Sequence, residues 1–173
     1  MASVPMAGAV LVSIVSANVR ESPPAWLLDY EVRNESSAAV WLVVDESLGF
    51  RREGSRIELS YARGPMQAGA QPFGYFDPEV AEVPAGGSVR RHLEIPWPSP
   101  LSTLWNEQRT AAPPPGEYEV SVRIGYAGTP SPEPPRDGES VEAPVLRWQR
   151  TAESPPVRIA VPAYAPSGER GPE

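Results

Sequence analysis

The chain has 173 residues, no cysteine, 23 prolines and 14 glycines, and its formal net charge at pH 7 is -7. Without cysteine it has no disulfide framework, no thiol nucleophile and no cysteine-ligated zinc or iron–sulfur site. The acidic balance opposes binding to a phosphate backbone, so nucleic acid is not an expected partner. Its 15 basic residues are all arginine, which indicates a GC-rich coding bias and a bacterial source.

Alternation of apolar and polar residues with a period of two is the main structural signal along the chain. Its clearest case is the run in which Tyr118, Val120, Val122 and Ile124 share one face of a predicted strand. In chain order, the predicted strands lie near residues 8–19, 25–34, 39–46, 55–63, 87–96, 117–127, 144–150 and 156–161.

The first of these runs, Met6 to Val19, has the apolar character of a signal-peptide core, but no basic residue precedes it. It is also too short and too polar for a transmembrane helix, which needs about 20 apolar residues. We therefore predict a strand here, no insertion into a membrane and a cytoplasmic location.

Proline and glycine clusters separate the predicted strands. Pro100 to Arg109 is an exception, because Ser99 can cap a helix that has Pro100 at its first position, and we predict a short connecting helix there. Residues 127–144 are rich in proline, serine and glutamate and predict a mobile hairpin loop. Residues 162–173 predict a disordered proline-rich tail, so the single predicted domain covers residues 1–161.

About seven or eight short strands, turns between them and one short helix predict an all-β fold. The arrangement that best fits this pattern is an antiparallel sandwich. A small barrel is the alternative.

Three segments carry a resemblance to known domains. Residues 115–120, Pro-Gly-Glu-Tyr-Glu-Val, resemble the start of the penultimate strand in immunoglobulin-like and fibronectin type III-like domains. Residues 28–36 resemble their second strand, and together with residues 83–88 these segments resemble the bacterial intracellular proteinase inhibitor family. The resemblance implies an immunoglobulin-like sandwich in which Tyr118 closes a corner by a hydrogen bond to the backbone.

The sequence offers no catalytic or metal-binding constellation. His92 is the only histidine, and the alternation of its strand predicts that it is exposed beside Arg90 and Glu94. No Gly-x-Ser-x-Gly motif accompanies it, so a serine-histidine-acid triad has no support. Asp45 with Glu46, and Asp77 with Glu79, lack the loop pattern of a calcium site. We therefore predict no enzyme activity, no cofactor and no metal.

Aromatic residues in the loops are the best candidates for a binding surface. Phe73, Tyr75 and Phe76 lie in one segment flanked by proline and glycine, and Trp97 and Trp105 lie at the two ends of another. Such residues bury a large area at a low entropic cost when a partner binds. The alternative is that they form a lid over a core that is poor in aliphatic residues.

These observations favour a non-catalytic module that binds another protein through its long loops. Two alternatives stay open. The family resemblance implies a protease inhibitor, which would present an exposed loop such as residues 61–65 or 135–137. A carbohydrate-binding module would use Trp97 and Trp105 as its platform, and a small ligand or glycan therefore remains a possible partner.

Overall fold

A computed structural model of the chain describes residues 10–44, 48–65, 78–98 and 113–164, which form ten strands and one short helix. The strands are β1 (Val10–Glu21), β2 (Pro24–Asn34), β3 (Val40–Val43), β4 (Gly49–Glu53), β5 (Arg56–Ser60), β6 (Val80–Val83), β7 (Ser88–Pro96), β8 (Gly116–Ala127), β9 (Arg150–Glu153) and β10 (Val157–Val161). The helix, α1, spans Ala143–Trp148. Within the described ranges, no helix is long and apolar enough to cross a membrane.

The strands are arranged in two sheets. β1, β2 and β7 form a three-stranded antiparallel sheet with β2 in the middle, and the other strands form a seven-stranded sheet. The strand pairs are antiparallel, except that β5 runs parallel to β8. This exception arises because β4 runs in the same direction as β3 and the tight β4–β5 hairpin then reverses the chain. Gly54 makes that turn possible, since its φ of 60° is one that other residues rarely adopt.

Strand β8 is bonded on both of its edges. Val120 pairs with Ile57 of β5 on one side and with Val157 of β10 on the other. Tyr126, further along the strand, likewise pairs with both β3 and β9. β8 therefore has strand partners on both sides near each of its ends.

The inner faces of the two sheets contribute to one hydrophobic core. Trp26 and Leu28 of β2 are fully buried in it, together with Val120 and Val122 of β8. The indole N–H of Trp26 donates to the carbonyl of Ala160 in β10 at 2.6 Å, which joins the two sheets directly. Trp26 thus buries its apolar ring in the core while its N–H keeps a hydrogen-bond partner.

The long alternating segments were predicted correctly. The predicted strands at 8–19, 25–34, 55–63, 87–96, 117–127 and 156–161 correspond to β1, β2, β5, β7, β8 and β10, and the one at 39–46 overlaps β3. The prediction omitted β4, β6 and β9, which are only four or five residues long. The helix predicted at Pro100 to Arg109 lies outside the described residues.

The strand predicted at 144–150 is wrong, because these residues form helix α1 followed by the start of β9. Pro144 lies in the first helical turn, where its fixed φ favours a helix and its missing N–H costs nothing. The amides of Leu146 and Gln149 donate to carbonyls four residues earlier, and the side chain of Val145 is buried. A helix of six residues is too short to display a helical period in the sequence.

The segments that were predicted to be mobile or disordered make specific contacts where they are described. Between β8 and α1 the chain has no regular structure, but Glu139 accepts hydrogen bonds from the amide of Arg136 and from the side chain of Arg147. Beyond β10, the Tyr164 hydroxyl donates to the Pro113 carbonyl at 3.1 Å. The rest of the predicted tail, from residue 165 on, lies outside the described residues.

Asn34 joins the turn after β2 to the turn between β6 and β7. Its side chain is 0 % exposed, and its amide group donates to the carbonyls of Ala38, Val83 and Pro84 at 2.8 to 3.1 Å. Its carbonyl oxygen accepts the N–H of Ser36 at 3.0 Å. One buried amide side chain therefore satisfies backbone groups from two separate turns.

Replacing Asn34 with alanine should lower the free energy of unfolding by about 2–4 kcal/mol, because it leaves buried backbone groups without partners. Urea denaturation monitored by tryptophan fluorescence measures the change. Asn18→Ala is the matched control, since the Asn18 side chain is exposed and makes no hydrogen bond with a described residue, and it should change stability by less than about 0.5 kcal/mol. Equal effects of the two substitutions would contradict the role given to Asn34.

Candidate functional site

The outward face of the seven-stranded sheet carries a concave surface. In β5, the alternation buries Ile57 and Leu59 and turns Glu58 and Ser60 away from the core. Arg123 of β8 pairs with Ser60 and therefore lies on the same outward face. The period-two pattern thus sets which side chains form the floor of the site.

A cavity of about 600 Å³ opens above this floor, between α1 and the segment that follows β5. This volume lies within the range usual for ligand sites. We call it the arginine cavity, and its described lining residues are Phe50, Arg51, Glu58, Ser60, Ala62, Arg63, Gly64, Pro65, Arg123, Leu146, Gln149, Arg150 and Thr151.

The charge of the arginine cavity is opposite to that of the whole chain. Four arginines, Arg51, Arg63, Arg123 and Arg150, line it, and Glu58 is the only acidic residue among the described lining residues. Arginine stays protonated at every pH at which proteins are folded. The part of the cavity that the structure describes therefore carries net positive charge, on a protein whose net charge is -7.

The arginines of this cavity differ in whether their positive charge is already paired within the protein. A guanidinium nitrogen of Arg123 lies 3.6 Å from a carboxylate oxygen of Glu58, and a second nitrogen donates to the Thr151 hydroxyl. Arg51 and Arg150 are exposed, and neither makes an ion pair or side-chain hydrogen bond with a described residue. These two side chains are free to bind an incoming anion.

The Gln149 side chain fixes the backbone of Arg63 in the wall formed by residues 61–65. Gln149 accepts a hydrogen bond from the backbone N–H of Arg63 at 3.1 Å and donates one to the backbone carbonyl of the same residue. Gly125 of β8 makes room for it, because a Cβ at this position would lie 2.6 Å from the Gln149 side-chain oxygen. The amide of Gln149 thus pairs with the backbone of this segment much as a neighbouring strand would.

The rim of the cavity includes an exposed apolar side chain. Leu146 of α1 is 38 % exposed, and Pro65 is exposed beside the same cavity. Among the described residues, the other large exposed apolar side chains are Leu11 and Val15 on β1. The site therefore combines cationic groups with an apolar contact surface.

Of the aromatic residues predicted to bind a partner, only Trp97 lies in the described part of the chain. Its ring packs edge-on against Trp26, with centroids 4.9 Å apart, and it is 5 % exposed. A side chain this buried offers a partner very little surface, and its packing agrees with the alternative that the aromatic residues cover the core. Phe73, Tyr75, Phe76 and Trp105 lie outside the described residues.

The three-stranded sheet brings together a serine, an aspartate and the histidine on its outward face. The Ser16 hydroxyl donates to Asp29 at 2.6 Å, and the other Asp29 oxygen lies 2.8 Å from Nδ1 of His92. A catalytic triad needs the serine bonded to the histidine, whereas here both bond to the aspartate. The hydrogen bond from Ser16, followed by that from His92, holds the pKa of Asp29 below its ordinary value.

No group of three or more histidine, aspartate or glutamate side chains within the described ranges is placed to hold a metal ion. No protein-family model matches the chain, and no curated protein or solved structure matches it. The chemistry of the arginine cavity therefore has to be inferred from its own residues.

Sequence reasoning missed the arginine cavity, although part of its signal was present. Arg51 and Arg123 occupy outward positions of strands, but positions 51 and 123 converge only because β5 pairs with both β4 and β8. The roles of Gln149 and Gly125 could not be recognised in the amino-acid sequence, since a glutamine and a glycine at these positions form no motif.

Replacing Gln149 with alanine should loosen the wall at Arg63, because both hydrogen bonds from Gln149 to that residue are lost while those of the Tyr61 and Ala62 amides remain. Hydrogen exchange measured by NMR should show a faster rate at the Arg63 amide, by about tenfold for a loss of about 1.4 kcal/mol. The amide of Val120, in the middle of β8, serves as the internal control and should keep its rate. An unchanged rate at Arg63 would show that Gln149 does not hold this segment.

Replacing Ser16 with alanine should raise the pKa of Asp29 toward its ordinary value of 3.8, because the largest stabilising contact of the carboxylate is removed. Because folding lowers the pKa of Asp29, its ionised carboxylate adds to the free energy of unfolding at pH values above the ordinary pKa of 3.8. This contribution is lost as the pH falls through the pKa of the folded state. An NMR titration of the Asp29 carboxyl carbon measures the shift. Ser13→Ala, at an exposed position on the same strand, should leave the titration unchanged.

Proposed function

We propose that the chain is a non-catalytic binding module whose arginine cavity takes an acidic segment of a partner protein. The observation that carries this proposal is that Arg51 and Arg150, two exposed arginines without an ion pair to a described residue, line one open cavity. In a chain with net charge -7, this concentration of positive charge makes a local site for an anion.

A carboxylate suits this site because the planar guanidinium group can donate two parallel hydrogen bonds to it. Arg51 and Arg150 lose little on binding, since neither has to break an existing ion pair. Glu58 lies 3.6 Å from Arg123 and is also the cross-strand partner of Arg51, so this one carboxylate partly offsets the attraction of the four arginines for an anion. Because the charges at the site are exposed, the interaction should weaken as the salt concentration rises.

A protein segment fits better than a free inorganic anion because of the rim. Leu146 is exposed beside the cavity, and an apolar residue of a partner would cover it on binding. An isolated anion would use the arginines and leave this apolar surface in contact with water. We therefore expect a segment that carries acidic residues next to an aliphatic one.

The proposed fold is an immunoglobulin-like sandwich, as the sequence resemblance implies. Two observations support it: the sheets share one core, and the Tyr118 hydroxyl donates to the Pro114 carbonyl at 2.9 Å, which is the corner bond expected from the resemblance. The parallel pairing of β5 with β8 is a departure from a purely antiparallel sandwich. The arginine cavity lies over this parallel pair, since β5 and β8 form its floor.

Protease inhibition through residues 61–65 receives less support from the geometry. An inhibitory loop has to present an exposed side chain and a free backbone to the protease. Arg63 is half-buried, and its backbone N–H and carbonyl both bind the Gln149 side chain. Residues 61–65 are thus fixed as a wall of the cavity and are poorly placed to enter an active site.

A peptide array tests the proposal. Each member pairs glutamates with a leucine, and each has a matched member in which glutamine replaces glutamate. The protein should bind glutamate peptides in preference to their glutamine counterparts, and Arg51→Glu should weaken this binding by about tenfold, or about 1.4 kcal/mol.

Arg52→Glu is the matched control for this experiment. Arg52 is the next residue on β4 and is also exposed, but it does not line the cavity. Its substitution by glutamate changes the net charge by the same amount as Arg51→Glu. Equal binding of the glutamate and glutamine peptides, or an equal loss in the Arg51→Glu and Arg52→Glu variants, would contradict the proposed site.

A further inference from the structure

A second cavity, separate from the arginine cavity, lies between α1 and the irregular segment that precedes it. Its volume is about 450 Å³. We call it the tryptophan cavity, and its lining includes Thr129, Ser131, Pro132, Glu133, Arg136 and Trp148. The residues that line it are different from those of the arginine cavity, so it is a distinct site.

The indole ring of Trp148 is held in a fixed orientation. Its N–H is directed at Thr129, with the backbone carbonyl at 3.1 Å and the hydroxyl oxygen at 2.9 Å. Pro144 is buried at the start of the same helix, and Pro132 is buried in the facing segment. A ring that is already oriented loses little conformational freedom when a ligand stacks on it.

Polar groups with spare hydrogen-bonding capacity stand beside this ring. A guanidinium nitrogen of Arg136 and a carboxylate oxygen of Glu133 are 4.0 Å apart, which is longer than a hydrogen bond, and both side chains are largely exposed. The Ser131 hydroxyl makes no recorded hydrogen bond with a described residue. Donors and acceptors therefore lie next to one another at the edge of an aromatic surface.

We propose that the tryptophan cavity binds a saccharide. A sugar ring has an apolar C–H face that can stack on an indole, and its hydroxyl groups both donate and accept hydrogen bonds, as neighbouring arginine and glutamate side chains require. The volume is sufficient for a small oligosaccharide unit. This site does not depend on the proposed function of the arginine cavity.

A proline-rich peptide is the competing ligand for a surface that contains tryptophan. Grooves that bind such peptides are lined by several aromatic residues. Among the described lining residues here, Trp148 is the only aromatic one, and five charged or hydroxyl side chains line the cavity with it, besides two prolines. The chemistry of the lining therefore favours a polyhydroxylated ligand over a polyproline helix.

Saturation-transfer NMR with the full chain tests the proposal, using cellohexaose, chitohexaose, xylohexaose and mannohexaose as probes and hexaproline as the competing ligand. At least one oligosaccharide should bind saturably, with a Kd of about 1 mM or tighter. Trp148→Ala should weaken this binding by at least about tenfold, whereas Trp148→Phe, which keeps an aromatic face, should stay within about threefold of the wild type.

A second variant keeps the test decisive if Trp148→Ala perturbs folding. Glu133→Gln combined with Arg136→Gln changes only exposed side chains, and it should weaken binding by at least about threefold. Arg51→Glu, in the arginine cavity, should leave saccharide binding unchanged. The proposal would be overturned by the absence of saturable binding to every oligosaccharide at about 10 mM, by wild-type affinity in folded Trp148→Ala, or by binding of hexaproline alone.

Discussion

The pairing of β8 along both of its edges is the constraint on which the other features depend. Val120 pairs with both β5 and β10, so a shift in the register of β8 would have to break the hydrogen bonds to both of these strands at the same time. A shift by one residue would also bring Arg123 into the core and turn Val122 outward. The floor of the arginine cavity is therefore fixed by the same hydrogen bonds that hold the seven-stranded sheet together, and its arginines are presented on a rigid surface.

Long strands could be predicted from the sequence because burial imposes a visible alternation on them. β8 is the best example, since Val120, Val122 and Ile124 are all buried. The strands that were missed, β4, β6 and β9, show no such alternation of buried and exposed side chains. β4 has only Phe50 buried among its side chains, and α1 is anchored mainly by Val145 and Pro144, so each is determined by the surrounding fold more than by its own sequence.

The candidate site was less predictable than the fold because it depends on which strands become neighbours. Arg51 and Arg150 are far apart in the sequence, and the parallel pairing of β5 with β8 could not be inferred from alternation. Gly125 contributes by having no side chain, which leaves space for Gln149. Trp97 follows a strand and precedes a proline, as a loop residue would, yet its ring is buried against Trp26.

The position of β8 in the chain also has a consequence for biosynthesis. All three strands of the smaller sheet are complete at Pro96, whereas the larger sheet lacks its central strand until residues 116–127 have been translated. For a time on the order of seconds, a ribosome-bound chain would expose the edges of β3 and β5 without their final partner. Unpaired edges of this kind promote aggregation. Premature termination before Gly116 should thus yield a product that depends on chaperones and is a substrate for proteolysis.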